Sequence, residues 1–200
     1  MKYNETPLMT AKICHDLATP LSAMNLLVDL AFEKCVDPHI EATFRECIEK
    51  ATLKLQFYRL LLTINQEHPI YADVHSTLTK SAHAMKVRLT LPNECPDGPG
   101  ARLLLGLTHI LMEGLIRGGT INVVVETDVL RLVAEGEPLQ LRPGYIEAFT
   151  KIDTTEVNAR NILPSYLANL AASMGLGIKI LVQSKEKIVI ETFVRGHTQL

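Results

Sequence analysis

Apolar positions recur every three or four residues through the first third of the chain. Between Thr6-Pro7 and about Cys35, one side of a helical wheel gathers Ile13, Leu17, Pro20, Leu21, Met24, Val28, Ala31 and Cys35. The opposite side carries Ala11, Lys12, His15, Ala18, Thr19 and Ser22. The pattern predicts a long helix that Pro20 kinks from within, since proline has no N–H for the helical ladder. Val36-Asp37-Pro38 reads as a turn, with Asp37 as N-cap and Pro38 at the first helical position. A second helix is expected over about 39–65, with Ile40, Phe44, Ile48, Ala51, Leu55, Tyr58 and Leu62 on its stripe. Glu41, Arg45, Glu46, Glu49, Lys50 and Lys54 give it a solvated side of i,i+4 pairs. After residue 55 it turns apolar nearly all round, through Phe57, Leu60, Leu61 and Ile64, so later chain is expected to wrap that end.

Two long helices joined by a short turn make an antiparallel hairpin, and one hairpin cannot enclose a core from both sides. Pairing with a second copy would give a four-helix bundle, so a homodimer is expected, with one His15 on each outer face. Residues 66–72 read as a linker, after which the pattern becomes mixed. Asp73 is placed to cap a helix carrying Val74, Leu78, Ala82 and Met85, and Val87 to Leu91 alternates as a strand. Beyond the Pro/Gly-rich loop at 92–100, an apolar helix is expected from Ala101 to Ile116, stopped by Gly118-Gly119. Thr120–Glu126 and Val129–Ala134 form a hairpin around Thr127-Asp128, and a short helix lies near Tyr145 to Lys151. Pro164 suits the first turn of a helix ending at Met174-Gly175, and Ile178–Gln183 and Lys187–Val194 close the chain as strands. The fold class is α+β: a helical hairpin domain over 1–67, then a small α/β sandwich over 72–200.

Composition narrows the function. A net charge of −2, with 20 basic residues scattered among 22 acidic ones, argues against nucleic acid or a membrane surface as partner. Four cysteines without a C-x-x-C pair or zinc spacing fit a reducing cytoplasm. No apolar run reaches membrane-spanning length, and Met1-Lys2-Tyr3-Asn4-Glu5 lacks the form of a signal peptide. His39, His68, His75, His83, His109 and His197 show no ligand spacing and read as structural or solvated. No metal site is expected.

His15 differs. It stands on a solvent side among small and polar residues, with an acid adjacent and a proline five positions on, in His15-Asp16-Leu17-Ala18-Thr19-Pro20. This hexapeptide resembles the phosphoacceptor box of two-component histidine kinases, and hairpin followed by an α/β layer is the plan of a kinase core, with helices over an antiparallel sheet. The nucleotide boxes are not matched. The helix before Gly118-Gly119 reads His109-Ile110-Leu111-Met112-Glu113-Gly114-Leu115, without the metal-holding asparagine. The strand-loop that should carry a D-x-G-x-G box reads Ala134-Glu135-Gly136-Glu137-Pro138. Gly175-Leu176-Gly177 sits at a helix C-terminus, whereas phosphate loops use a helix N-terminus, so it reads as a cap.

An acceptor histidine beside a degenerate ATPase-like domain resembles the ChpT-type histidine phosphotransferases. Cys14-His15-Asp16-Leu17 with Pro20, Leu115-Ile116-Arg117-Gly118-Gly119 before a strand, and Leu163-Pro164-Ser165-Tyr166-Leu167-Ala168-Asn169-Leu170 ahead of Gly175 carry the likeness. The resemblance implies a carrier of phosphoryl groups between receiver domains of a hybrid kinase and response regulators, without ATP and without a cofactor of its own. The magnesium would sit in the partner receiver. His15 would be the phosphoacceptor, Asp16 would orient it or assist proton removal, and Lys12, Thr19 and Ser22 would meet the docking receiver. Two other readings stay open. Tight nucleotide binding would mark a divergent ATP-dependent kinase, and receiver binding with no phosphate on His15 would mark a non-catalytic dimeric scaffold.

Overall fold

A computed structural model describes residues 5–33, 38–62, 69–95, 97–126, 129–150 and 156–195. Helix α1 (Glu5–Glu33) and helix α2 (Pro38–Leu62) pack along each other. Asp16, early in α1, meets Tyr58 near the end of α2, so the pair is antiparallel. The expected turn with its Asp37 cap, the side chains of Ala31 and Cys35, the second helix beyond Leu62, the Thr127-Asp128 turn, and His68 and His197 lie outside the described residues.

The remaining elements are α3 (Tyr71–Ala84), β1 (Val87–Thr90), α4 (Pro99–Gly114), β2 (Gly119–Glu126), β3 (Val129–Glu135), α5 (Tyr145–Thr150), α6 (Ile162–Ser173), β4 (Leu176–Gln183) and β5 (Lys187–Val194). They give the α+β class expected, with the strands in one sheet ordered β1-β2-β3-β5-β4. The sheet is not wholly antiparallel. Val87 pairs with Gly119 in a parallel β1/β2 ladder, because α4 crosses back between these strands as in a βαβ unit. Asp73 is not the cap of α3 either. Ile70 holds the N-cap position, and the Asp97 carboxylate reaches over from the following loop to accept the Tyr71 N–H at 2.5 Å.

Alternation along β2, β3 and β5 turns Ile121, Val123, Leu132, Ala134, Ile188 and Ile190 into the core, with α4 packed on β2 and β3 and α6 on β4. Helix α4 is buried on nearly every side, since α2, α3 and α6 pack around it as well. The core runs on without a break into the hairpin: Met9, Phe57, Tyr58, Leu60 and Leu61 belong to the same buried cluster as Leu111 and Leu167. The apolar end of α2 is thus wrapped by later chain, and Tyr166 of α6 donates its hydroxyl to the Leu61 carbonyl at 2.9 Å.

The Gly175-Leu176-Gly177 segment has a packing explanation. Gly175 follows the Met174 cap of α6 with φ +74°, a left-handed conformation that glycine adopts without strain. At Gly177 a Cβ would stand 2.4 Å from the Phe193 ring of the neighbouring strand. One glycine ends the helix and the other admits an aromatic ring. Among the described residues, no helix is long and apolar enough to cross a membrane.

Candidate active site

His15 lies in the third turn of α1, and its side chain is 79% exposed. Its Nδ1 is 3.3 Å from Oδ1 of Asp16, a carboxylate that is almost wholly buried. Asp16 turns inward because α2 supplies partners for it. Tyr58 donates its hydroxyl to Oδ2 at 2.5 Å, and Lys12, one turn back on α1, reaches both oxygens at 2.8 and 2.7 Å. Burial pushes the Asp16 carboxyl up, but the Lys12 ammonium, the Tyr58 hydroxyl and His15 together outweigh it and hold it below 3.8. An ionised carboxylate only accepts hydrogen bonds, so in this contact His15 donates from Nδ1–H, and in the neutral ring the lone pair is then on Nε2.

The other side of this arrangement is a proton locked on Tyr58. Burial, and then the Asp16 carboxylate as acceptor and as charge, push its phenol far above the usual range. Its ring meets Phe57 edge-on at 5.1 Å, and Phe57 stacks on His109 of α4 at 4.0 Å. Burial lowers the His109 pKa against the pull of nearby Glu113, itself paired with Arg142 at 2.9 Å. A groove of about 470 Å³ opens beside Thr19 and Pro20, between the hairpin and α3 and α4, with Lys50, Lys54 and Arg142 on its walls.

Pro20 shapes the site through what it lacks. In a regular helix the Asp16 carbonyl would accept the N–H of residue 20, and proline has none. Lys54 of α2 takes that place, donating from Nζ to the Asp16 carbonyl at 2.9 Å. The proline and a lysine of the opposite helix therefore form one feature.

The sequence-derived residues divide. His15, Thr19 and Ser22 are exposed on α1, as the wheel requires. Lys12 is not on that surface: it is 4% exposed, and its ammonium is committed to Asp16. It faces the hairpin interior, where Tyr58 also meets Asp16, and not the exposed side that the sequence pattern assigns to it. Tyr58 and Lys54 were not singled out from sequence. The signals available were two i,i+4 pairs, Lys12 with Asp16 and Lys54 with Tyr58, whose meeting depends on the register between helices.

An exposed imidazole aimed by a buried carboxylate is suited to carrying a transferable group on nitrogen. The histidine phosphotransferase C-terminal domain model matches residues 71–186, more than half of the chain. The chain is 26% identical over 189 residues to the protein phosphotransferase ChpT of Brucella abortus (strain 2308), covering 86% of this chain and 88% of that relative. A solved structure of a bacterial phosphotransferase shares the fold, with a TM-score of 0.80 at 22% identity over 96% of this chain and 97% of the other. The chain belongs to the histidine phosphotransferase family and is of the ChpT type, which makes it a phosphotransferase of two-component phosphorelays.

Proposed function

We propose that His15 is the phosphoacceptor and that the chain carries phosphoryl groups, without ATP, between the aspartates of receiver domains in a hybrid kinase and in response regulators. The observation that carries this is the solvent-facing imidazole whose Nδ1 is bonded to an ionised Asp16, leaving Nε2 free. The Nε2 lone pair attacks the phosphorus of a receiver's aspartyl phosphate. The N–P bond forms as the P–O bond breaks, and that electron pair leaves on the aspartate oxygen. Nδ1 keeps its proton, and the positive charge that develops on the ring faces the Asp16 carboxylate. Return transfer to a second receiver reverses the step. Thr19 and Ser22, exposed beyond His15, lie on the path of the docking receiver, whose own magnesium supplies the remaining charge neutralisation. The protein needs no cofactor of its own.

ATP independence is supported by α4, which has His109 and Glu113 and no asparagine, and by the packing roles of Gly175 and Gly177. A homodimer is supported by Leu21 and Val28 on α1 and Ile48 and Leu55 on α2, each pair seven residues apart and exposed in the single chain. In this reading residues 1–67 carry the chemistry and the dimer contact, and residues 72–200 brace the hairpin and present part of the receiver-binding surface. The setting is the bacterial cytoplasm.

The test is transfer from a phosphorylated receiver domain to the wild type and to His15→Ala with no ATP present. Acid-labile, alkali-stable label on the wild type alone is the expected result. Absence of label from every cognate receiver, with the protein folded, leaves an interaction scaffold instead.

A further inference from the structure

We propose that Tyr58, together with Lys12, is a positioning residue for the transfer: by pinning Asp16 it decides which ring nitrogen of His15 is free to react. The inference rests on the reading of His15 as phosphoacceptor and deepens it.

The argument starts from the freedom of a carboxylate, which pivots about its Cβ–Cγ bond. Lys12 reaches both oxygens, at 2.8 and 2.7 Å, and an ammonium is a compact charge that tolerates such rotation. The Tyr58 hydroxyl is directional. It meets Oδ2 alone, from a ring held edge-on by Phe57, which is itself stacked on buried His109. With Oδ2 fixed in this way, Oδ1 is turned toward His15 Nδ1 at 3.3 Å.

The direction matters because the ring is 79% exposed. A neutral histidine ring in water favours the proton on Nε2, which would block the nitrogen that points outward and leave the lone pair on Nδ1, against the helix. A fixed acceptor at Nδ1 reverses that preference. Tyr58 itself touches no reacting atom. It is 4% exposed and lies on the inner side of Asp16, so it is out of reach of a docked receiver.

The test compares full-length wild type, Tyr58→Phe and Lys12→Gln. Ring ¹⁵N shifts of His15 report the tautomer, and transfer from a phosphorylated receiver is followed over a range of receiver concentrations. Tyr58→Phe keeps the ring and its aromatic neighbours and removes only the hydroxyl. The expected result is a shift of His15 toward the Nε2–H tautomer and a maximal transfer rate lower by roughly tenfold, the scale of one hydrogen bond to a charged group. Half-saturation by the receiver stays unchanged. A folded Tyr58→Phe with the wild-type tautomer overturns the proposal, whether its rate falls or not, since a slower rate alone would mark a merely structural role. If Tyr58→Phe does not fold, Lys12→Gln is read by the same criteria. If the wild type accepts no phosphoryl group, the phosphoacceptor reading fails, and the tautomer comparison still decides whether Tyr58 governs the ring.

Discussion

At the scale of single residues, Asp16 has the most at stake. Its oxygens receive Lys12 twice, Tyr58 once and His15 once, so its charge is matched although nearly no water reaches it. A buried pair of this kind stabilises little against an apolar replacement, yet removing one partner strands the other. Asp16→Asn leaves the Lys12 ammonium buried without its counter-charge and should lower stability by about 3 kcal/mol at neutral pH. The pH dependence follows from the sign of the shift. The folded-state pKa lies below the ordinary 3.8, so the unfolded chain binds the proton first as the solution is acidified. The contribution of Asp16 is therefore complete well above pH 3.8 and is lost as pH falls through the folded-state value. Urea unfolding of wild type and Asp16→Asn over a pH series should show a constant gap that narrows only as pH falls from about the ordinary 3.8 toward the folded-state value. A gap that closes near neutrality would mean the carboxyl is not held ionised by its neighbours.

At the scale of the element, the hairpin is tied together where α1 is weakest. Pro20 leaves the Asp16 carbonyl without its helical donor, and Lys54 supplies one from α2. The two residues should be coupled in a double-mutant cycle. Lys54→Met leaves the carbonyl short of a partner and costs about 1 kcal/mol where Pro20 is present. In a Pro20→Ala background the backbone N–H of residue 20 returns, and the same substitution should cost close to nothing. Equal costs in both backgrounds would show that the lysine stabilises by packing its stem and not by replacing the lost hydrogen bond. The same place shows what could be read from the chain alone. The helices and the exposed His15 follow from a 3.6-residue period, which is a local property. The burial of Lys12 does not, because it depends on Tyr58 arriving from another helix in one register. The parallel pairing of β1 escaped for a similar reason. Alternation marks a strand but not its neighbour, and only the crossover of α4 decides the direction.

For the whole molecule, the question is what covers the outer apolar stripe of the hairpin. The single chain buries one side of that hairpin in its own core, through Met9, Phe57, Tyr58 and Leu61. It leaves Leu21 at 52% and Leu55 at 59% exposed, with Val28 and Ile48 each seven residues away on the same stripes. In a two-fold pair each leucine would be buried twice, and at about 2 kcal/mol per side chain Leu21→Glu should raise the dimer dissociation constant about a thousandfold. The new charges would also face one another across the symmetry axis. Leu55→Glu should act in the same sense, and sedimentation equilibrium on full-length chains measures both. The dissociated chains should stay folded, with unchanged far-UV circular dichroism, because neither leucine belongs to the internal core. They should also keep the His15 tautomer of the wild type, since Asp16, Lys12 and Tyr58 all come from the same chain as His15. A wild type that sediments as a monomer at micromolar concentration would remove the dimer from the proposal and leave the site as it stands. A tautomer that changes on dissociation would mean that the partner helps to build the site, which the single-chain network gives no reason to expect.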